Sequence, residues 1–241
     1  MRAIRILRAG LVVILVIIGI RWVAHRRAEN GDRQAGAIVR IRETPSSAES
    51  GSPKPALPRP LRVGEPLPET MLVDQDGKEI RLSNLRGEVV ILFFFYTHCD
   101  SPSMCPLTTG KLVTANERVR NRGIRGVQFL AVSFDPERDG PERLREYASR
   151  YETDLSSFHF ATGQPDAIRS LSLALNTFYR KRGSGMYDHN IIVSVFDRTA
   201  ILRRTFPGSE WDIEEFVEFI ERLASGHGAL GTLEPRHQGP C

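Results

Sequence analysis

The sequence predicts an α/β domain, a mixed central sheet with helices on both of its faces. Three observations carry this. Segments of strand character alternate with segments of helix character between residues 61 and 225. The run at 89–96, Val-Val-Ile-Leu-Phe-Phe-Phe-Tyr, is continuously apolar, as a strand covered on both faces must be. Cys99 and Cys105 fall where this strand gives way to a helix, the edge at which open α/β sheets gather their chemistry.

The elements follow in order. Asp76-Gly77 is a hairpin signal between strands at 70–73 and 79–82. After the apolar strand a helix opens at Pro106. Proline suits the first helical turn, where its missing N–H leaves nothing unpaired, and this makes Cys105 the expected N-cap. Residues 128–133 form the next strand. Asp139-Gly140-Pro141-Glu142 then reads as an N-cap with proline in the first turn, starting a helix that runs to about Tyr151. A short strand at 158–161 and a helix at 165–174 come next, then a hairpin of 191–196 and 200–205 around Asp197-Arg198. Asp212 caps a last helix, with Glu215 at the capping-box position and an apolar stripe of Phe216, Phe219, Ile220 and Leu223. With a cysteine pair after the first long strand, this order makes a thioredoxin-like plan. No internal repeat is visible.

The flanks are of another kind. Of 33 Lys/Arg and 29 Asp/Glu, residues 1–60 hold 11 and 4, which leaves 22 and 25 for the remainder. The chain's net charge of +4 is therefore a property of the leader. A nucleic-acid partner needs a basic face on the folded part, so that class is set aside. Within 1–28, Arg2, Arg5 and Arg8 precede the apolar run at 9–20, and Arg21, Arg26 and Arg27 follow it. Twelve residues is the length of a signal-peptide core, but neither Ala24 nor Ala28 closes a small-x-small cleavage site. If the flanking arginines snorkel, residues 4–24 span about 30 Å as a helix. An uncleaved membrane anchor fits this better than a removed signal. Residues 29–60 are rich in Pro, Ser and Gly and read as a disordered tether with a reach of about 30 Å. The tail at 226–241 is similarly unstructured by composition.

Cys99 and Cys105 are read as a functional pair rather than a staple. A thiolate at a helix N-terminus is favoured by the dipole and its free N–H groups, which on this reading gives Cys105 the charge. Such thiolates hold copper or exchange disulfides, and the pair alone leaves both open. A metal needs further ligands. His189, in Met-Tyr-Asp-His-Asn before the strand at 191–196, sits where it can reach the pair in a thioredoxin-like plan. Asp188 could orient the imidazole or stay solvated. His98 adjoins Cys99 and should point away from it. His159 reads as a strand residue, and Asp135-Pro136 as a strand end that shapes the site. His227, His237 and Cys241 could make an accessory metal tail, but read rather as incidental residues of a flexible end.

Four segments together resemble the Sco/SenC family of membrane-anchored, thioredoxin-like copper proteins. They are Phe-Tyr-Thr-His-Cys at 95–99 with Cys105-Pro106, Val-Ser-Phe-Asp-Pro-Glu-Arg-Asp-Gly-Pro-Glu-Arg-Leu at 132–144, Phe-Ala-Thr-Gly at 160–163, and Tyr-Asp-His-Asn at 187–190. The likeness spans about Val63 to Leu223. It implies that Cys99, Cys105 and His189 are copper ligands, and that the chain assists assembly of the copper centre of cytochrome c oxidase. It also implies a single-pass protein of a bacterial inner membrane whose folded domain faces the periplasmic side. The family's commonest pattern has three residues between the cysteines, whereas here there are five.

Two functions from different classes follow. A metallochaperone delivering copper to an oxidase subunit needs both cysteines and His189. A thiol–disulfide reductase acting on the oxidase's copper cysteines needs only Cys99 and Cys105. A peroxidase fits less well, because Leu92 and Tyr96 stand where peroxiredoxin-like sites place a proline and a hydroxyl residue. A redox or copper sensor beside a membrane complex has no discriminating feature in the sequence.

Overall fold

The computed structural model describes residues 59–226. The expected anchor at 1–28, nearly all of the tether, and the tail from 227 lie outside the described residues, as do His25, His227, His237 and Cys241. No helix among the described residues is long and apolar enough to cross a membrane.

Among the described residues the first elements are β1 (Met71–Asp74) and β2 (Glu79–Arg81), paired antiparallel across a turn that needs Gly77 at φ +75°. The long strand β3 (Val89–Phe95) feeds helix α1 (Cys105–Asn121). Strand β4 (Val127–Ser133), helix α2 (Pro141–Ala148), strand β5 (Phe158–Gly163) and helix α3 (Pro165–Ala174) follow. Short strands β6 (Tyr179–Lys181) and β7 (Tyr187–His189) precede β8 (Ile192–Phe196), β9 (Leu202–Pro207) and the last helix α4 (Ile213–Ala224).

Seven strands share one sheet in the order β2-β1-β5-β4-β3-β8-β9. The central three, β3, β4 and β5, are parallel and the outer ones pair antiparallel, so the sheet is mixed as expected. Every side chain of β3 is buried. Successive strand residues point to opposite faces, so both faces of the sheet are covered at its centre. Helix α1 packs on β4 and α4, α4 on β3, and α2 on β5 and β1.

The last helix begins as its sequence dictates. The Asp212 carboxylate accepts from Glu215 N at 2.9 Å, and Phe216, Val217, Phe219, Ile220 and Leu223 are buried. Burial of such side chains stabilises by roughly 1.5–3 kcal/mol each. Only half of the capping box forms, because the Glu215 carboxylate turns to Arg204 at 3.0 Å instead.

Three expectations need correction. Cys105 is the first residue of α1 and not its cap. The N-cap is Met104, with no side-chain cap bond, and Pro106 sits in the first turn. Asp139 does not cap α2 either. Gly140 takes that place, and α2 ends at Ala148 rather than near Tyr151. The proline supplies the stop and start that a cap would give, which frees the Asp139 carboxylate to turn inward. Residues 179–189, where no element was expected, are ordered as well. They form a two-stranded ribbon, β6 against β7, outside the main sheet.

At the end of the sheet away from the cysteines, Arg198 closes the β8–β9 turn over three carbonyls. Its guanidinium donates to Gly87 O at 2.8 Å, Arg125 O at 3.1 Å and Ala224 O at 3.1 Å. These belong to the residues just before β3, just before β4 and at the end of α4. Because the fork is exposed, water replaces part of what it gives. Arg198→Ala is expected to lower the unfolding free energy by about 1–2 kcal/mol. An unshifted midpoint in urea would show that water substitutes for the guanidinium without cost.

Candidate metal centre

The site forms where β3 ends. Tyr96 and Thr97 continue the strand's buried course, and the chain then turns through residues 98–104 before α1 begins. Met104 N donates to Ser101 O at 3.1 Å. This turn folds the five intervening residues back, so the longer interval between the cysteines does not separate the sulfurs. Cys99 is half-buried and Cys105 is fully buried, and both are free thiols.

His189 arrives from the opposite side as the last residue of β7. Its Nε2 lies 3.2 Å from Cys105 Sγ, and its Nδ1 lies 3.2 Å from the carbonyl of Tyr187. Donation from Nδ1 to that carbonyl leaves the Nε2 lone pair facing the sulfurs. The three donor atoms of Cys99, Cys105 and His189 all lie within 4.8 Å of one another. The residues singled out in the sequence are thus brought together from two separate parts of the chain.

Rings hold the imidazole. Tyr96 meets it edge-on at 5.5 Å, and Phe134 lies 5.4 Å away. Phe134 in turn stacks on Tyr179 at 4.7 Å and meets Tyr187 at 5.3 Å. Burial pushes the Tyr96 phenol up to about 12, so it stays neutral.

The two thiols share one negative charge, and it falls opposite to the sequence expectation. A hydrogen bond from Cys105 brings Cys99 down to about 4, against the opposing effect of burial. Cys105 is pushed up, first by its hydrogen bond to Cys99 and then by its own burial. The dipole argument favoured a Cys105 thiolate. The hydrogen bond to Cys99, together with desolvation at the helix start, outweighs it, and the half-exposed Cys99 carries the charge.

Other residues are placed less centrally. Asp188 does not touch the imidazole; it pairs with Arg180 at 3.2 Å and with Arg182. His159 sits in β5 and contacts Gln128 Oε1 at 3.2 Å. His98 Nδ1 contacts Thr97 Oγ1 at 3.0 Å and lies 3.7 Å from Asp139 Oδ1. Asp135 lies just beyond β4, beside the site, as expected of a strand end that shapes it.

Asp139 is the residue that sequence reasoning missed. Its buried carboxylate accepts from Thr97 N at 2.9 Å, Thr97 Oγ1 at 2.6 Å and Ser133 Oγ at 2.6 Å. His98, Asp135 and Asp139 also bring donor atoms within 4.8 Å of one another. The carboxylates there are already occupied by Thr97, Ser133, Tyr187 and Arg138. The signal in the sequence was a pair of carboxylates four residues apart after a buried strand. The ribbon was signalled too, by Gly183-Ser184-Gly185 between two short polar–aromatic segments.

The sequence model of the family described as SCO1/SenC matches residues 68–225. The chain is 28% identical over 153 residues to Protein SCO1 homolog 1, mitochondrial, of Arabidopsis thaliana, a match covering 62% of this chain and 44% of that protein. The chain thus spans under half the length of that relative. Among solved structures it is similar to a SCO1/SenC family lipoprotein from Bacillus anthracis str. Ames. The identity is 25% and the TM-score 0.62, over 70% of this chain and 99% of that one. It is also similar to Arabidopsis thaliana ScoI with copper bound, at 25% identity and a TM-score of 0.58, over 68% and 99%.

Proposed function

The chain belongs to the SCO1/SenC family, and from that premise we propose that it is a copper-binding assembly factor of cytochrome c oxidase. Cys99, Cys105 and His189 hold the copper. The observation that carries this reading is the convergence of two sulfurs and one imidazole nitrogen within 4.8 Å. Two thiolates and an imidazole are the soft donor set that suits Cu(I). The structure of Arabidopsis ScoI with copper bound supports the same cargo.

In this reading the metal takes the place of the Cys105 proton, so uptake releases that proton to solvent. The Tyr187 carbonyl fixes the tautomer of His189 with Nε2 ready to bind. The folded domain at 61–225 works from a membrane anchor at 1–28 through the tether at 29–60, with 226–241 as a flexible tail. Its place is the outer side of a bacterial inner membrane. The partner is the oxidase subunit that carries the copper centre.

A second reading has its own observation. A half-exposed Cys99 thiolate beside a protonated Cys105 is also equipped to reduce a partner's disulfide. The two readings part at His189. Titrating the reduced full chain with Cu(I) against a competing chelator should give one copper per chain. His189→Ala should weaken binding by at least the roughly 100-fold that loss of a mere outer-shell partner can cost. Unchanged affinity in that variant would leave the reductase as the better description.

A further inference from the structure

The donors reach the site on two independent arms, and one loop touches both. The loop runs from Phe134 to Gly140, between β4 and α2. Asp139 holds Thr97, two residues before Cys99, through both its backbone N–H and its hydroxyl. Asp135 holds Tyr187, two residues before His189, by accepting from the phenol at 3.0 Å. The second link is direct, since the carbonyl of that same Tyr187 receives His189 Nδ1. Arg138 completes the bracket. It pairs with Asp135 and donates to Gly185 O at 2.8 Å, at the tip of the ribbon.

Both carboxylates are buried, at 1% and 0% exposure. Burying a carboxylate costs several kcal/mol unless its hydrogen bonds are complete. An apolar loop would pack here without that cost, yet each carboxylate spends its bonds on the segment that carries a donor. We propose that Asp135 and Asp139 are positioning residues that jointly fix the separation of Cys99 from His189, Asp139 through Thr97 and Asp135 through Tyr187. The inference rests on the three-donor reading above. It adds that the two arms are set separately by one loop.

Separate arms predict a separable response in the full, reduced chain. Tyr187→Phe removes only the phenol that Asp135 holds. It should weaken Cu(I) binding about tenfold, within the range seen for outer-shell partners. It should have no further effect once His189→Ala is present, because its influence passes only through the imidazole. Thr97→Val should weaken binding about tenfold in both backgrounds, because it acts through Cys99. Asp139→Asn should behave as Thr97→Val, and the valine variant stands in if the asparagine one fails to fold.

A metal-free readout keeps the two proposals apart. The His189 ring nitrogen signals should move toward those of free imidazole in Tyr187→Phe and stay in place in Thr97→Val. If the wild type takes up no copper, the copper reading falls and the imidazole signals alone decide this one. Equal copper loss from Tyr187→Phe in both backgrounds, or imidazole signals that do not distinguish the variants, overturns the separate-arm assignment.

Discussion

With alanine at position 105, the Cys99 thiol is expected to titrate well above its wild-type range. The wild-type Cys99 sits near 4, chiefly because Cys105 donates a hydrogen bond to its thiolate. Alanine removes that donor and leaves the burial that opposes ionisation. His189 and the backbone at Cys105 and Ser101 still favour the thiolate, so Cys99 moves back toward the ordinary thiol value of about 8.5. The sign is unambiguous. A lowered value means that wild-type Cys99 is charged from about pH 5 upward, so its thiolate absorbance and its alkylation rate are flat across neutral pH. In Cys105→Ala both should rise steadily from pH 6 to 8. The profile is a better test than a single rate, because a thiolate of low pKa is also a weaker nucleophile. A wild-type midpoint near 8 would dismantle this description of the pair. The same variant should fail to retain copper, having lost the buried one of two sulfurs.

The second large effect is structural. Phe134 is the hub of the ring cluster behind the imidazole, meeting Tyr96, Tyr179, Tyr187 and His189 with centroids 4.7–5.4 Å away. It is 2% exposed. Phe134→Ala should cost about 3–5 kcal/mol through lost burial and the cavity left behind. For a domain of this size that is roughly a 10 °C fall in Tm. Because three of the four neighbouring rings lie on the ribbon, His189 should lose its fixed orientation as well. Thermal melts with and without Cu(I) check both parts. A Tm within about 2 °C of the wild type would mean that the cluster collapses without penalty.

Much of this was legible in the sequence, for reasons that differ by element. The β3 run of apolar residues announced a doubly covered strand, and the Asp212 cap with its Phe216–Leu223 stripe announced the last helix. Both are local signals, written into consecutive residues. Cys99, Cys105 and His189 were legible because a cysteine pair at a strand end is distinctive and the likeness to Sco/SenC supplied the histidine. What escaped notice depends on residues far apart in the chain. Asp139 looked like a cap because Gly-Pro follows it, but its partners Thr97 and Ser133 are known only once β3 and β4 lie side by side. Which sulfur carries the charge likewise depends on burial at the helix start, and the dipole rule is blind to that. Of the two roles left open for Asp188, the structure fits the solvated one, with Arg180 and Arg182 as its partners. Pairing in the ribbon sets it opposite Arg180, a register that the sequence did not make plain.

The ribbon has one more consequence. β6 and β7 bond to each other over three residue pairs and to no strand of the main sheet. It is attached to the domain by rings, by the bracket loop, by a hydrogen bond from Tyr187 N to the Tyr96 hydroxyl at 3.5 Å and by its chain links to α3 and β8. Such a unit opens at a free energy well below that of global unfolding. The two cysteines, by contrast, follow β3, the most enclosed strand of the domain. Two of the three donors are therefore anchored beside the most enclosed strand, and the third on a ribbon held to the domain by side chains and its chain links. Under the copper reading, release then begins at the imidazole, and an incoming ligand finds the metal still held by sulfur while the histidine is out of the way.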